Sequence, residues 1–372
     1  MTAIHARQLI VTALTNPQRV VNFQASDLDL LLRLLRKVRL HGRLGAELIR
    51  EGLMAKLPQE AQDQFESALA MADARNRVAL WELNRIAWAL EDQKGVELIC
   101  MKGCAYLLAK LPNTHGRIFA DVDLLLREDA LGSIEVVLNR RGWKTRTLSP
   151  YDDHYYRRWT HELPPLVHVE RDVEIDLHHN IAPRTARISP PADHIVASAK
   201  PVKGSRFLVP SDEDTVLHAA VHLMFDSDLA DRLRDLVDLN DLLRYYSSQD
   251  KEFWHRLVQR ARQLGVERSL FYSLRYCERL LDCPVPQKTT QDVETFGPVA
   301  PVRWLMDRLV PRALFPELPG QSRPLTPVAR LLLFVRSHWL RMPPWLLAAH
   351  LSYKFYVIHI LRYRKPDQYV EG

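Results

Sequence analysis

Residues 98–126, LICMKGCAYLLAKLPNTHGRIFADVDLLL, decide how this chain folds. The stretch reads as strand, short helix, loop and second strand, and the second strand opens on Asp121 and Asp123. Side chains two apart on a strand point to the same side, so the two carboxylates project together while Val122 turns to the opposite face. Leu124, Leu125 and Leu126 continue the apolar run, which sets the acidic pair at one edge of a core. Neighbouring carboxylates repel unless a positive charge lies between them, and hard oxygen donors suit Mg²⁺.

A second acidic strand is legible at 172–177, DVEIDL. Alternation puts Glu174 and Asp176 on one face, with Val173, Ile175 and Leu177 on the other. Laid beside 121–126, this strand would bring Asp176 to Asp121 and Asp123. Two divalent cations bridged by such a triad align a triphosphate and an attacking oxygen for in-line displacement. Glu174 shares the face and could support or replace Asp176.

MKG at 101–103, Arg117, DVDLLL at 121–126, HELPPLVH at 161–168 and EIDLHH at 174–179 resemble an uncharacterised bacterial nucleotidyltransferase family of the DNA polymerase β-like superfamily. The resemblance covers about 98–180 and continues more weakly to about 245. It implies an α+β fold with a small mixed β-sheet and extensive helical flanks at both ends. It also implies that Asp121, Asp123 and Asp176 are catalytic and bind Mg²⁺ (or Mn²⁺), and that Lys102, Gly103 and Arg117 contact the nucleotide. Better known superfamily members carry Gly-Ser where Lys102 and Gly103 stand. The change removes a hydroxyl, keeps backbone N–H groups at a helix start and adds a charge.

Each of these residues also has a plainer reading. Lys102 could be a solvated lysine at a strand end. Arg117 could be a loop arginine, or its fork could clamp a phosphate or pair with acidic groups. His161, His168, His178 and His179 fall near one sheet edge, where histidines are most often structural. His161 and His178 match family positions and are held with Glu174 as second-tier site residues that orient a carboxylate or assist proton transfer. His218 and His222 have the i, i+4 spacing of a zinc pair, but no glutamate follows His218 and packing beneath the site is the expected role. Asp235 and Asp238 face either inward or to solvent.

The chain has 372 residues, 47% hydrophobic and 26% charged, which excludes a disordered protein and allows two or three domains. A net charge of +6 permits an anionic partner without demanding one. Cys100, Cys104, Cys277 and Cys283 form no metal-binding spacing and suit a reduced, cytoplasmic protein. No signal peptide is expected at the N-terminus. Four regions are expected: a helical lead-in over 1–95, a catalytic core over 96–180, a helical subdomain closing the site over 181–282, and a proline-rich linker with apolar helices over 283–372. Ser26 reads as an N-cap, Pro58 opens a helix reaching Leu90, a helix spans about Arg127 to Arg141, and Ser211 caps another helix. Nine prolines in 283–327 read as an irregular wrap rather than a helix. The segment WLLAAHLSYKFYVIHIL at 345–361, interrupted by His350, Lys354 and His359, reads as a core or amphipathic surface helix. Trp339, Trp345 and RYRK at 362–365 would suit a membrane interface, which is kept as a secondary expectation.

The expected partners are an NTP and an acceptor: a sugar, a small metabolite, a protein side chain or an RNA end. Two other readings stay open. One is a nucleotide- or RNA-binding protein that keeps the fold without catalysis. The other is a peripheral membrane or assembly protein in surface-polysaccharide production.

Overall fold

The computed structural model describes residues 3–119, 121–171, 173–225, 229–318 and 324–357. Asp172, His359 and the RYRK run lie outside the described residues. Four helices lead in: α1 (Ala3–Thr15), α2 (Ala25–Lys37), α3 (His41–Arg50) and α4 (Gln59–Ala89). A strand-rich centre follows, with β1 (Ile99–Cys100), α5 (Lys102–Leu108), β2 (Asp121–Leu125), α6 (Leu131–Arg140), β3 (Trp143–Thr145), α7 (Pro150–Trp159), β4 (Leu166–His168) and β5 (Glu174–His178). Then come α8 (Ala192–Ala197), β6 (Lys200–Pro201), β7 (Leu208–Val209), α9 (Asp212–Phe225), α10 (Leu233–Gln249), α11 (Phe253–Leu264) and α12 (Glu267–Leu281). The described part closes with α13 (Gln287–Glu294), α14 (Ala300–Leu314), α15 (Thr326–Arg341) and α16 (Pro344–Phe355).

The fold is α+β. Seven strands form one mixed sheet in the order β3-β4-β5-β2-β1-β7-β6, with β2 parallel to β5, β1 parallel to β7 and the other pairs antiparallel. The two acidic strands are thus neighbours at the centre. Val122, Leu124, Ile175 and Leu177 are fully buried beneath them and anchor the register, because a one-residue slip would turn carboxylates into the core. β6 and β7 were not anticipated. Each has only two residues, too few to show alternation, yet β7 extends the sheet beyond β1.

Buried ion pairs tie the helices to this centre and to one another. Glu82 of α4, fully buried, takes two hydrogen bonds from Arg171 in the β4–β5 turn, at 2.8 and 2.9 Å. Asp214 of α9 is held by a two-pronged Arg260 of α11 at 2.7 and 2.8 Å. The loop before β2 is seated by backbone against backbone. A Cβ on Gly42 would meet the Gly116 carbonyl oxygen at 2.3 Å, and Gly116 itself sits at φ +72°. Only glycine fits either place.

Two readings of local structure are corrected. Ser26 is not a cap: α2 begins at Ala25, and the carbonyl of the extended Gln24 accepts the Asp27 and Leu28 N–H groups at 3.0 and 2.9 Å. The proline-rich 283–327 is not a helix-free wrap, since it holds α13 and α14. Pro286 precedes α13 and Pro301 lies in the first turn of α14, where a missing N–H loses no bond. Pro311 does interrupt the ladder, but Val310, Ala313 and Leu314 around it are fully buried and that packing holds the helix. Among helices read from sequence, α4 is flanked by Pro58, and α9 carries the Ser211 hydroxyl on the Asp214 N–H at 3.2 Å. No helix among the described residues is long and apolar enough to cross a membrane.

Candidate active site

The parallel register sets Asp121 opposite Glu174, Asp123 opposite Asp176 and Leu125 opposite His178. Paired residues share a face, so one side of two strands carries four carboxylates and an imidazole. They differ in surroundings. Asp121 is exposed at the mouth, Asp176 is half-buried, and Asp123 is 1% exposed.

A buried carboxylate needs partners. Asp123 Oδ1 receives Lys102 Nζ at 2.6 Å and faces His178 Nε2 at 3.0 Å. Lys102 begins α5 at φ +46°, a left-handed turn that few non-glycine residues adopt. Burial opposes the charge on Asp123, but the ammonium and the imidazole outweigh it and hold the carboxyl well below the usual carboxylate range. Asp176 is less well compensated: burial and then the charge of Asp123 push it up to about 7 against weaker opposition from His178 and Lys102. Asp121 is also raised, by the protein atoms crowding it and by Asp123.

The HELPP segment lies along β5. Leu163 N–H donates to Leu177 O and His179 N–H to His161 O, both at 2.9 Å. This sets Glu162 opposite His178 and brings its Oε2 to 3.4 Å from His178 Nδ1. His178 is therefore clasped between two carboxylates. Although burial opposes it, the hydrogen bond to Asp123 raises the imidazole's affinity for a proton. The His161 ring lies tilted at 5.3 Å from that of His178, and burial keeps it neutral.

Asp121, Asp123 and Asp176, expected as a triad, share this face. Among the described residues, Asp123, Asp176 and His178 each offer a ligand atom within 4.8 Å of the others, and Asp121 stands outside that group. His161, Glu162 and His178 form a second such group. Glu162 was missed although it stands inside HELPP, because the family pattern leaves that position open. Glu174 is drawn to the rim by Arg146 at 2.7 Å. His168 packs edge-on to Trp143 by β3, and His179 is held to about 4 by burial and then Arg184, so neither joins the site. His218 is buried nearby and kept neutral by burial and by the Lys102 charge.

The residues expected to contact a nucleotide have structural roles. Gly103 lies under the Phe119 ring and the Arg117 guanidinium, and a Cβ there would meet Phe119 at 2.3 Å. Arg117 stacks on Phe119 at 4.4 Å and pairs with Asp238 of α10 at 2.8 Å, so Asp238 faces inward. Beside them opens a cleft of ≈ 230 Å³, lined by Asp121, Lys102, Arg117, Arg39, Arg232 and Arg234 among others. The last three were missed. Their only signal is a basic residue after α2 and RLR at the start of α10, which reads equally well as a solvated face.

A family model described as an uncharacterised nucleotidyltransferase matches residues 24–282, more than two thirds of the chain. No curated protein and no solved structure matches it.

Proposed function

The chain belongs to this nucleotidyltransferase family, and on that premise we propose that it moves a nucleoside monophosphate from an NTP to an acceptor hydroxyl or phosphate, releasing pyrophosphate, with a divalent cation. One observation carries the reading: Asp123 and Asp176 lie opposite each other in register, with His178 inside the same 4.8 Å group. Two carboxylate oxygens and one imidazole nitrogen fit a divalent cation, and the nitrogen favours Mn²⁺ more than an all-oxygen set would. Asp123, Asp176 and His178 would hold it, with Asp121 the next carboxylate toward solvent. When bound, the cation would supply Lewis-acid stabilisation of charge on the phosphoryl group.

The chain's own residues do the rest. Lys102 fixes Asp123 in its ionised form. Glu162, at Nδ1, orients His178. Asp176, ionised once the cation displaces its proton, would take the proton of the acceptor hydroxyl. The cleft is smaller than a usual small-molecule pocket. It suits the phosphates, with Arg39, Arg232 and Arg234 as counter-charges and the base outside. Gly103 lets Phe119 and Arg117 close over the helix start.

A second reading rests on Lys102, whose ammonium already neutralises Asp123 without a cation. It is a nucleotide-binding protein that keeps the fold without catalysis. Incubation with each labelled NTP, Mn²⁺ or Mg²⁺ and cell extract separates the two. Transfer of label that disappears in Asp176→Asn is the expected result. Binding of an NTP without any transfer would favour the second reading.

A further inference from the structure

Most of the large apolar side chains left exposed among the described residues lie between Val299 and Tyr356. On α15, Val328, Leu331, Val335 and Trp339 recur at helical spacing along one exposed face. On α16, Trp345 is 72% exposed and Phe355 62%. An apolar surface of this extent on packed helices marks an interaction site. We propose that α15 and α16 dock this face onto an anionic lipid surface.

Charge selects that occupant. α15 and α16 contain no Asp or Glu, and residues 318–366 carry eight Lys and Arg without one acidic residue. The inward side takes up the cations these helices would otherwise set into the apolar face. Arg330 pairs with Asp231 at 3.4 Å, Lys354 with Asp152 at 2.7 Å, and Arg336 donates to the Met224 carbonyl at 3.2 Å. Two exposed arginines lie over the exposed indoles instead: Arg187 at 4.5 Å from the Trp339 ring and Arg308 at 4.2 Å from Trp304. Indole at the interface with cations beside it is the chemistry of a helix lying on anionic headgroups. Two copies of the chain joined by this face would bring these arginines together, with no carboxylate on either α15 or α16 to meet them. No helix among the described residues is long and apolar enough to cross a bilayer, and the contact proposed is a peripheral one.

Flotation of the full chain with vesicles tests the proposal, independently of nucleotidyl transfer. Vesicles of phosphatidylcholine alone and of phosphatidylcholine with phosphatidylglycerol are compared at low and high salt. The expected result is flotation with the anionic vesicles, weakened by salt, and reduced at least tenfold in a Trp339→Glu, Trp345→Glu variant with an unchanged melting temperature. Equal flotation with both vesicles, or with neither, overturns the proposal. So does a dimer in sedimentation analysis that the same variant dissociates, without flotation. That result would assign the face to a second copy.

Discussion

Asp123 and Asp176 stand opposite each other on adjacent strands, yet they hold protons in opposite ways. Lys102 and His178 satisfy Asp123, while Asp176 faces its charge with little to offset it. A carboxyl raised in the folded state gives stability that is complete below its unfolded value of about 4 and is lost as pH rises through about 7. In the cation-free protein, Asp176→Asn is therefore expected to stabilise by about 4 kcal/mol at pH 8 and to change little below pH 4, read by denaturant titration. Removing Asp123 should act the other way. Asp123→Ala strands Lys102 in a buried position and should cost about 3 kcal/mol near neutral pH. Cation binding must displace protons from the site, since both Asp176 and His178 bind them more readily than their free counterparts. Mn²⁺ affinity should consequently rise with pH through about 7. Calorimetry in buffers of different ionisation enthalpy should count the protons released. A flat affinity between pH 6 and 8 would contradict this assignment.

At the scale of elements, the sequence exposed what alternation and caps make visible. Asp121 and Asp123 on an apolar strand, the acidic face of β5, and the long α4 behind Pro58 all carry a period or a boundary residue. What stayed hidden depends on neighbours across space. Glu162 gains its meaning only because HELPP pairs with β5, and Arg117 is engaged only because α10 returns with Asp238. β6 and β7 are too short for a period, and α14 tolerates Pro311 because burial outweighs one lost hydrogen bond. Lys102-Gly103, expected at a phosphate, also has a structural role that only the fold reveals: the lysine lies on Asp123 and the glycine makes room for Phe119. Gly103→Ala should thus destabilise by about 1–3 kcal/mol through overpacking, measured by thermal unfolding, before any loss in nucleotide binding is counted.

Across the whole molecule, α4 from the lead-in packs against a sheet whose acidic face carries the candidate site. The Glu82–Arg171 pair is the test of that grip away from the chemistry. Glu82→Ala should lower stability by about 3 kcal/mol, because Arg171 is left without its partner, while Mn²⁺ affinity stays within a few-fold. A cation that binds only the folded state should raise stability by about 2.7 kcal/mol at a hundred times its dissociation constant, and this gain should vanish in Asp176→Asn. The most direct measurement is pulsed electron paramagnetic resonance of Mn²⁺ added to the full chain. The account predicts one bound Mn²⁺ showing nitrogen coupling from His178, with the coupling lost in His178→Ala and the bound ion lost in Asp176→Asn. Bound Mn²⁺ that lacks nitrogen coupling and survives Asp176→Asn would contradict it.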